Sequence, residues 1–257
     1  MKFLCIGDVV SQQGCDYLRS NLIKLKKEYN ADFVIVNGEN SAVGNGITVF
    51  SAKHIFTSGA DVITLGNHAF RRNEIYPFLD ENEFIIRPCN FHRSAPGRGS
   101  VVLSRGMLNA GIINLQGTAF LDPNENPFDA VDREIEKLKD EGVNTIIVDF
   151  HAEASGEKKA MGYFLDGRVS LLYGTHTHVQ TSDEQILPLG TGYITDIGMT
   201  GPYFSVLGVE PELIIQKLRT NMPVKFINPD GPCTLEGVFA ETDNKTSKCV
   251  HIERFRI

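Results

Sequence analysis

The stretch "RVSLLYGTHTHVQT" (168–181) runs from an apolar, strand-like segment straight into two histidines two residues apart, His176 and His178. In an extended chain, side chains two apart share a face, so the pattern sets two imidazoles side by side at the end of a buried strand. Taken alone, Thr-His-Thr-His reads first as a polar loop with both rings in water, since histidine is commonly part-exposed. The other apolar runs decide between these readings. "KFLCIG" (2–7) ends at Asp8, "DFVIVNG" (32–38) at Glu39 and Asn40, "DVITLG" (61–66) at Asn67 and His68, and "NTIIVDF" (144–150) at His151. Five runs each deliver a carboxylate, carboxamide or imidazole at the C-terminal end, the edge where α/β sheets form ligand sites. An Asp or Asn after a strand is ordinarily a turn former, and a lone His151 would pass as a hydrogen-bonded core residue. Applied to all five, these readings need five coincidences at one sheet edge. The joint pattern favours a shared site.

Between these runs lie helical patterns. "CDYLRSNLIKLKKEY" (15–29) repeats Leu18, Leu22, Ile23 and Leu25 at helical spacing, and "VFSAKHIFTSG" (49–59) is helix-like up to Gly59. "NEIYPFLDEN" (73–82) is a short helix candidate, "FDAVDREIEKLKDEG" (128–142) a strong one and "PELIIQKL" (211–218) another short one. "GSVVLSRGMLNAGIINLQG" (99–117) reads as a hairpin about an Arg-Gly turn, "GTGYITDIG" (190–198) as a further strand, and residues 233–257 as a closing antiparallel hairpin around "DNKTSK". Strand–helix alternation first and hairpins later predict mixed sheets, most economically two packed sheets covered by helices.

Composition sets the class. Hydrophobic residues make up 42% and charged residues 22%, as in soluble globular proteins able to bury a core. The first apolar run is too short for a signal peptide or a spanning helix, so no membrane association is expected. Five scattered cysteines without a C-x-x-C argue against a disulfide framework or thiolate zinc site and point to a reducing compartment, the cytoplasm. The net charge of −7 gives no support for nucleic-acid binding. An acidic chain can still act on a small anion if metal ions supply the positive charge. An assembly of identical copies is compatible with this composition.

The donors at the strand ends are oxygens and imidazoles without thiolate, which suits iron, manganese or zinc. Three imidazoles speak against magnesium or calcium alone. The seven candidates, Asp8, Glu39, Asn40, Asn67, His151, His176 and His178, exceed the four ligands of one tetrahedral zinc. Two ions about 3.5–4 Å apart, sharing a carboxylate, would use them all, with His176 and His178 serving one each. His68 is not needed for coordination and is placed to face substrate as a proton donor. His54, His92 and His251 fall in a helix, a loop and the last strand, outside the site. "SAVGNGI" (41–47) is a weak candidate for a phosphate-binding nest, and no G-x-G-x-x-G follows the first strand, which disfavours a dinucleotide site.

These motifs, "GDVV" (7–10), "NGEN" (37–40), "GNH" (66–68), "DFHAEA" (149–154) and "GTHTHVQT" (174–181), resemble the calcineurin-like metallophosphoesterases, and more closely their bacterial YmdB-like subgroup, which acts on cyclic nucleotides. The likeness extends through "NLQG" (114–117) and "LPLGTGYITDIGMTGPY" (187–203), which makes residues 1–257 a single domain. It implies a four-layer α/β/β/α sandwich of two mixed sheets with a dinuclear centre, often containing iron. Carried over, Asp8, Glu39, Asn40 and His178 hold one metal, and Glu39, Asn67, His151 and His176 the other. His68 matches the proton donor. Three departures stand out: Val10 replaces the superfamily's first-strand histidine, Glu39 must replace its bridging aspartate, and Ala69 replaces the aspartate that usually follows the catalytic histidine. "AFRRNE" (69–74) also departs from the subgroup. The resulting expectation is a metal-dependent phosphodiesterase acting on small anionic phosphodiesters, with 2′,3′- or 3′,5′-cyclic nucleotides implied by the resemblance. The rivals are a metal-dependent amide or ester hydrolase and a nucleotide- or metal-sensing regulatory protein without turnover.

Overall fold

Consecutive apolar residues in a strand call for cover on both faces, and the computed structural model, which describes residues 1–122 and 124–257, supplies it. In chain order the elements are β1 (Lys2–Ile6), β2 (Asp8–Val9), α1 (Ser11–Glu28), β3 (Phe33–Asn37), α2 (Val49–Thr57), β4 (Val62–Thr64), α3 (Tyr76–Glu81), β5 (Ile85–Ile86), β6 (Ser100–Arg105), β7 (Leu108–Gln116), α4 (Pro127–Asp140), β8 (Thr145–His151), α5 (Ser155–Leu165), β9 (Leu171–Thr175), β10 (Gln185–Ile186), β11 (Gly192–Ile194), β12 (Met199–Pro202), α6 (Pro211–Thr220), β13 (Cys233–Thr242) and β14 (Cys249–Arg256).

The strands form two mixed sheets. One has the order β2-β12-β13-β1-β3-β4-β5, with β14 also paired to β13; the other runs β10-β11-β9-β8-β7-β6. In the first, β1, β3, β4 and β5 are parallel. In the second, β7, β8, β9 and β11 are parallel, closed at the edges by antiparallel β6 and β10. Side chains alternate across each sheet with the period of two that strands impose. Phe3, Cys5, Phe33, Ile35 and Val62 pack against Ile112, Ile147, Leu171, Tyr173 and Ile194 of the opposite sheet. The alternate residues of the first sheet, Leu4, Ile6, Val34, Val36 and Ile63, meet Leu18 and Leu22 of α1, Ile55 of α2 and Leu79 of α3. On the far side, Ile113, Val148 and Leu172 meet Ile135 and Leu138 of α4 and Met161 of α5. The result is the expected α/β/β/α sandwich of two mixed sheets.

Local signals start several helices. A reciprocal Thr48–Ser51 capping box opens α2, and Asn126 caps α4 ahead of Pro127. Two helices depart from simple expectation. The periodicity of the sequence does not announce α5, because its buried residues are Lys158, Met161, Gly162 and Leu165. The helix read at 211–218 is present as α6 but buries none of its residues. Among the described residues, no helix is long and apolar enough to cross a membrane.

Candidate metal centre

The C-terminal ends of the parallel strands in the two sheets meet, and their terminal residues converge. Asp8 opens β2, Glu39 and Asn40 follow β3, Asn67 and His68 follow β4, His151 ends β8, and His176 and His178 follow β9. His151 Nε2 lies 3.2 Å from Glu39 Oε1, 3.0 Å from Asn67 Oδ1 and 3.0 Å from His176 Nδ1. Donor atoms of Glu39, His151 and His176 all fall within 4.8 Å of one another. Beside this group, His178 Nε2 lies 3.5 Å from Asp8 Oδ1 and 3.2 Å from Asn40 Nδ2. Glu39 touches both groups, because Asn40 Nδ2 donates to its Oε1 at 3.0 Å. All seven candidate ligands therefore gather in one place, in two clusters with Glu39 between them.

The two histidines reach the site by a route the extended-strand argument did not foresee. β9 ends at Thr175, and His176 (φ 98°) and His178 (φ 60°) adopt left-handed backbone. Such conformations cost about 1–3 kcal/mol each outside glycine and persist only where surroundings impose them. Here the backbone N–H of His176 donates to Asp8 Oδ2 (3.1 Å) and that of Thr177 to Asp196 Oδ2 (3.1 Å). The ammonium of Lys158, fully buried, donates to the Thr175 carbonyl (2.8 Å) and pairs with the same Asp196 oxygen (2.7 Å).

Charge in the cluster is balanced pairwise. Burial alone would raise the Asp8 and Glu39 carboxyls, yet His178 holds Asp8 low, and His151, followed by His68, holds Glu39 well below the usual carboxylate range. Burial alone would lower His151, but Glu39 outweighs it and brings the imidazole to about 9. His178 is raised in the same way by Asp8. His176 is driven down to about 3 by burial and by the neighbouring His151 charge. The cluster thus holds protons where a cation would sit, and metal and proton would compete for the same lone pairs.

The residues present fit a metal. Among the described residues Asp8 Oδ1 is buried with no hydrogen-bond partner, His178 Nε2 facing it only at ion-pair distance, 3.5 Å, and a buried carboxylate oxygen without a hydrogen bond is costly. Gly66 is the matching feature from the other side: a Cβ there would overlap the His151 ring and a Glu39 carboxylate oxygen. A buried carboxylate oxygen free to accept, crowded imidazole nitrogens and a donor set of oxygens and imidazoles suit iron, manganese or zinc.

His68 borders this cluster with its side chain about a quarter exposed. Its Nδ1 lies 3.0 Å from Asn40 Oδ1 and 3.2 Å from Glu39 Oε1. Ala69, which stands where an orienting aspartate was expected, is fully buried in the helix-side core. Asn40 and Glu39 orient the ring instead. Sequence reasoning also missed Glu153, whose Oε2 meets His176 Nε2 at 3.1 Å; its position two residues after His151 was the available signal. His54 lies on α2, His92 contacts Ser94 in its loop, and His251 lies on β14, all outside the cluster. In the 41–47 loop, the guanidinium of Arg72 donates to the carbonyls of Val43, Gly44 and Asn45. Phe70 and Phe91 pack edge-on against each other at 5.3 Å.

Comparison with known proteins identifies relatives of the whole chain. The model of the family described as "YmdB-like protein" matches residues 4–255. The chain is 46% identical to the 2′,3′-cyclic-nucleotide 2′-phosphodiesterase of Bacillus subtilis (strain 168), over all of this chain and 97% of that one. It superposes on the crystal structure of a Thermus thermophilus protein, described only as hypothetical, with TM-score 0.94 and 36% identity, covering 100% and 99% of the two chains. A 5′-nucleotidase precursor from the same organism shares the fold alone, at TM-score 0.60 and 11% identity, over 100% of this chain and 54% of that one.

Proposed function

The chain belongs to the YmdB-like family, and on that premise we propose that it is a metal-dependent phosphodiesterase hydrolysing small anionic phosphodiesters, 2′,3′-cyclic nucleotides foremost and 3′,5′-cyclic nucleotides beside them. The observation that carries the proposal is the compact donor group of Glu39, His151 and His176, with the Asp8 carboxylate buried beside it. The activity named for the Bacillus relative supports the substrate class.

Asp8, Glu39, Asn40 and His178 would hold one metal ion, and Glu39, Asn67, His151 and His176 the other. Two transition-metal ions, iron foremost with manganese or zinc as alternatives, would supply Lewis-acid charge to the phosphoryl oxygens and make water acidic enough to ionise near neutral pH. The carboxylates of Asp8 and Glu39 leave the loaded site net positive, suited to an anionic diester. His68 stands at the rim with Nδ1 committed to Asn40 and Glu39. As the oxygen of water bonds to phosphorus and the phosphorus–oxygen ester bond breaks, the Nε2–H of His68 would pass its proton to the leaving oxygen. A general acid so placed contributes about 10²–10⁴-fold.

The test is turnover of 2′,3′-cyclic AMP, 3′,5′-cyclic AMP and a generic diester on protein of counted metal content, with and without added manganese or iron. His68→Ala should retain its metal while losing turnover by about 10²–10⁴-fold. Loss of metal from that variant would remove His68 from the proton-donor role. Metal bound by the wild type without turnover of any diester would overturn the enzymatic reading in favour of a sensing protein.

A further inference from the structure

Directly beneath the donor cluster, the inward-facing series of four strands changes from apolar to polar. Ile35, Val62, Ile147 and Tyr173 line the space between the sheets. Two residues further along each strand stand Asn37, Thr64, Asp149 and Thr175, all fully buried. Each lies one to three residues before a candidate ligand. Asn37 and Thr64 belong to one sheet, Asp149 and Thr175 to the other.

With Asp149 ionised, their hydrogen bonds leave one consistent arrangement. The Asp149 carboxylate accepts from Thr64 Oγ1 at 2.5 Å, Thr175 Oγ1 at 2.7 Å and Asn37 Nδ2 at 3.2 Å. A threonine hydroxyl has one proton and two acceptor positions. Thr175 gives its proton to Asp149 and accepts from Asn37 Nδ2 at 3.4 Å. Its remaining contact is His151 Nδ1 at 2.9 Å. With the hydroxyl proton already committed, that contact is a hydrogen bond only when Nδ1 carries a proton. The lone pair of the neutral ring is then on Nε2, the nitrogen that faces Glu39, Asn67 and His176.

We propose that Asp149 and Thr175 are positioning residues that hold His151 in its Nδ1–H tautomer and thereby present Nε2 as a metal ligand. The inference rests on the metal reading above. Neither residue reaches the cleft; both act through His151, as outer partners of metal-ligating imidazoles do. The same network ties the ligand-bearing ends of the two sheets together, through Asn37 two residues before Glu39 and Thr64 three before Asn67. Replacing Asp149 by asparagine would keep its shape but lets an amide N–H face Thr175. The hydroxyl would then turn its proton towards Nδ1 and favour the opposite tautomer.

The experiment uses the whole chain stripped with a chelator and titrated with Co²⁺ against a competing chelator, with folding followed by circular dichroism. Thr175→Val and Asp149→Asn should each weaken Co²⁺ binding by about 10–100-fold and change the visible cobalt spectrum, while Thr175→Ser, which keeps the hydroxyl, stays close to wild type. The nitrogen-15 imidazole spectrum of the zinc-loaded wild type should show His151 protonated at Nδ1, a readout that holds even if the valine or asparagine variant does not fold. A folded Thr175→Val protein with wild-type cobalt affinity and spectrum would overturn the relay alone, as would a His151 protonated at Nε2 in the zinc form. A wild type that takes up neither ion would overturn the metal reading and the relay with it.

Discussion

Gly66 is where the demands on a single residue are sharpest. It lies between β4 and Asn67, and its missing side chain is the space into which the His151 ring and the Glu39 carboxylate fit. Methyl groups forced into packed sites cost about 1–3 kcal/mol, which the sandwich can absorb. The donor geometry cannot. Gly66→Ala is therefore expected to fold, with a far-ultraviolet spectrum like the wild type, and to lose most of its bound metal when counted by elemental analysis. Full metal content in that variant would show that the site has more slack than the packing indicates. At this scale the candidate ligands were legible, because each ends an apolar run and polar residues at such positions are conspicuous. Glu153, Asp149 and Thr175 were not, since a carboxylate or hydroxyl near a strand end has many ordinary roles. Strand periodicity nevertheless put Asp149 on the same face as His151.

Elements carry the next level of constraint, and the β9–α5 pair shows it best. The loop after β9 holds two histidines in left-handed backbone, and α5 anchors it through Lys158. Removing one member of a buried ion pair leaves the other charge unpaired, at a cost of about 3–5 kcal/mol. Lys158→Met should accordingly lower the urea-unfolding free energy by that amount and impair metal binding. A loss below about 1 kcal/mol, the scale of a surface pair, would mean that Asp196 finds other partners. This also explains why α5 was hard to read. A lysine inside a helical pattern looks like a solvent-facing residue, and Gly156 and Gly162 lower helix propensity. By contrast, α4 has a clean apolar stripe, and its position was legible to within a few residues.

For the whole molecule, the two-sheet sandwich was legible because β1, β3, β8 and β9 are apolar on consecutive residues and so had to be covered twice. What the pattern does not contain is the branching at β13, which pairs with β1, β12 and β14 and joins Lys2 to Glu241 across nearly the full chain. Such register is set by tertiary packing rather than by local sequence. The same double cover buries Cys5, Cys15, Cys89 and Cys249 as free thiols, and this has a consequence for stability. Burial pushes Cys15 up to about 12 and Cys249 to about 11, and it raises Cys5 and Cys89 as well. Unfolded thiols ionise near about 8.5. Above that pH the unfolded chain releases protons that the folded chain keeps, so the unfolded state binds fewer protons and stability falls as pH rises. Each such thiol contributes about 1.4 kcal/mol per pH unit between its unfolded and folded values. Urea unfolding between about pH 8.5 and 10 should show this decline, and Cys15→Ala should make it shallower by one thiol's share, whatever the variant's stability at neutral pH. An identical slope in wild type and variant would mean that Cys15 ionises as readily in the folded protein as in the unfolded chain, and that the helix-side core admits water where the packing shows none.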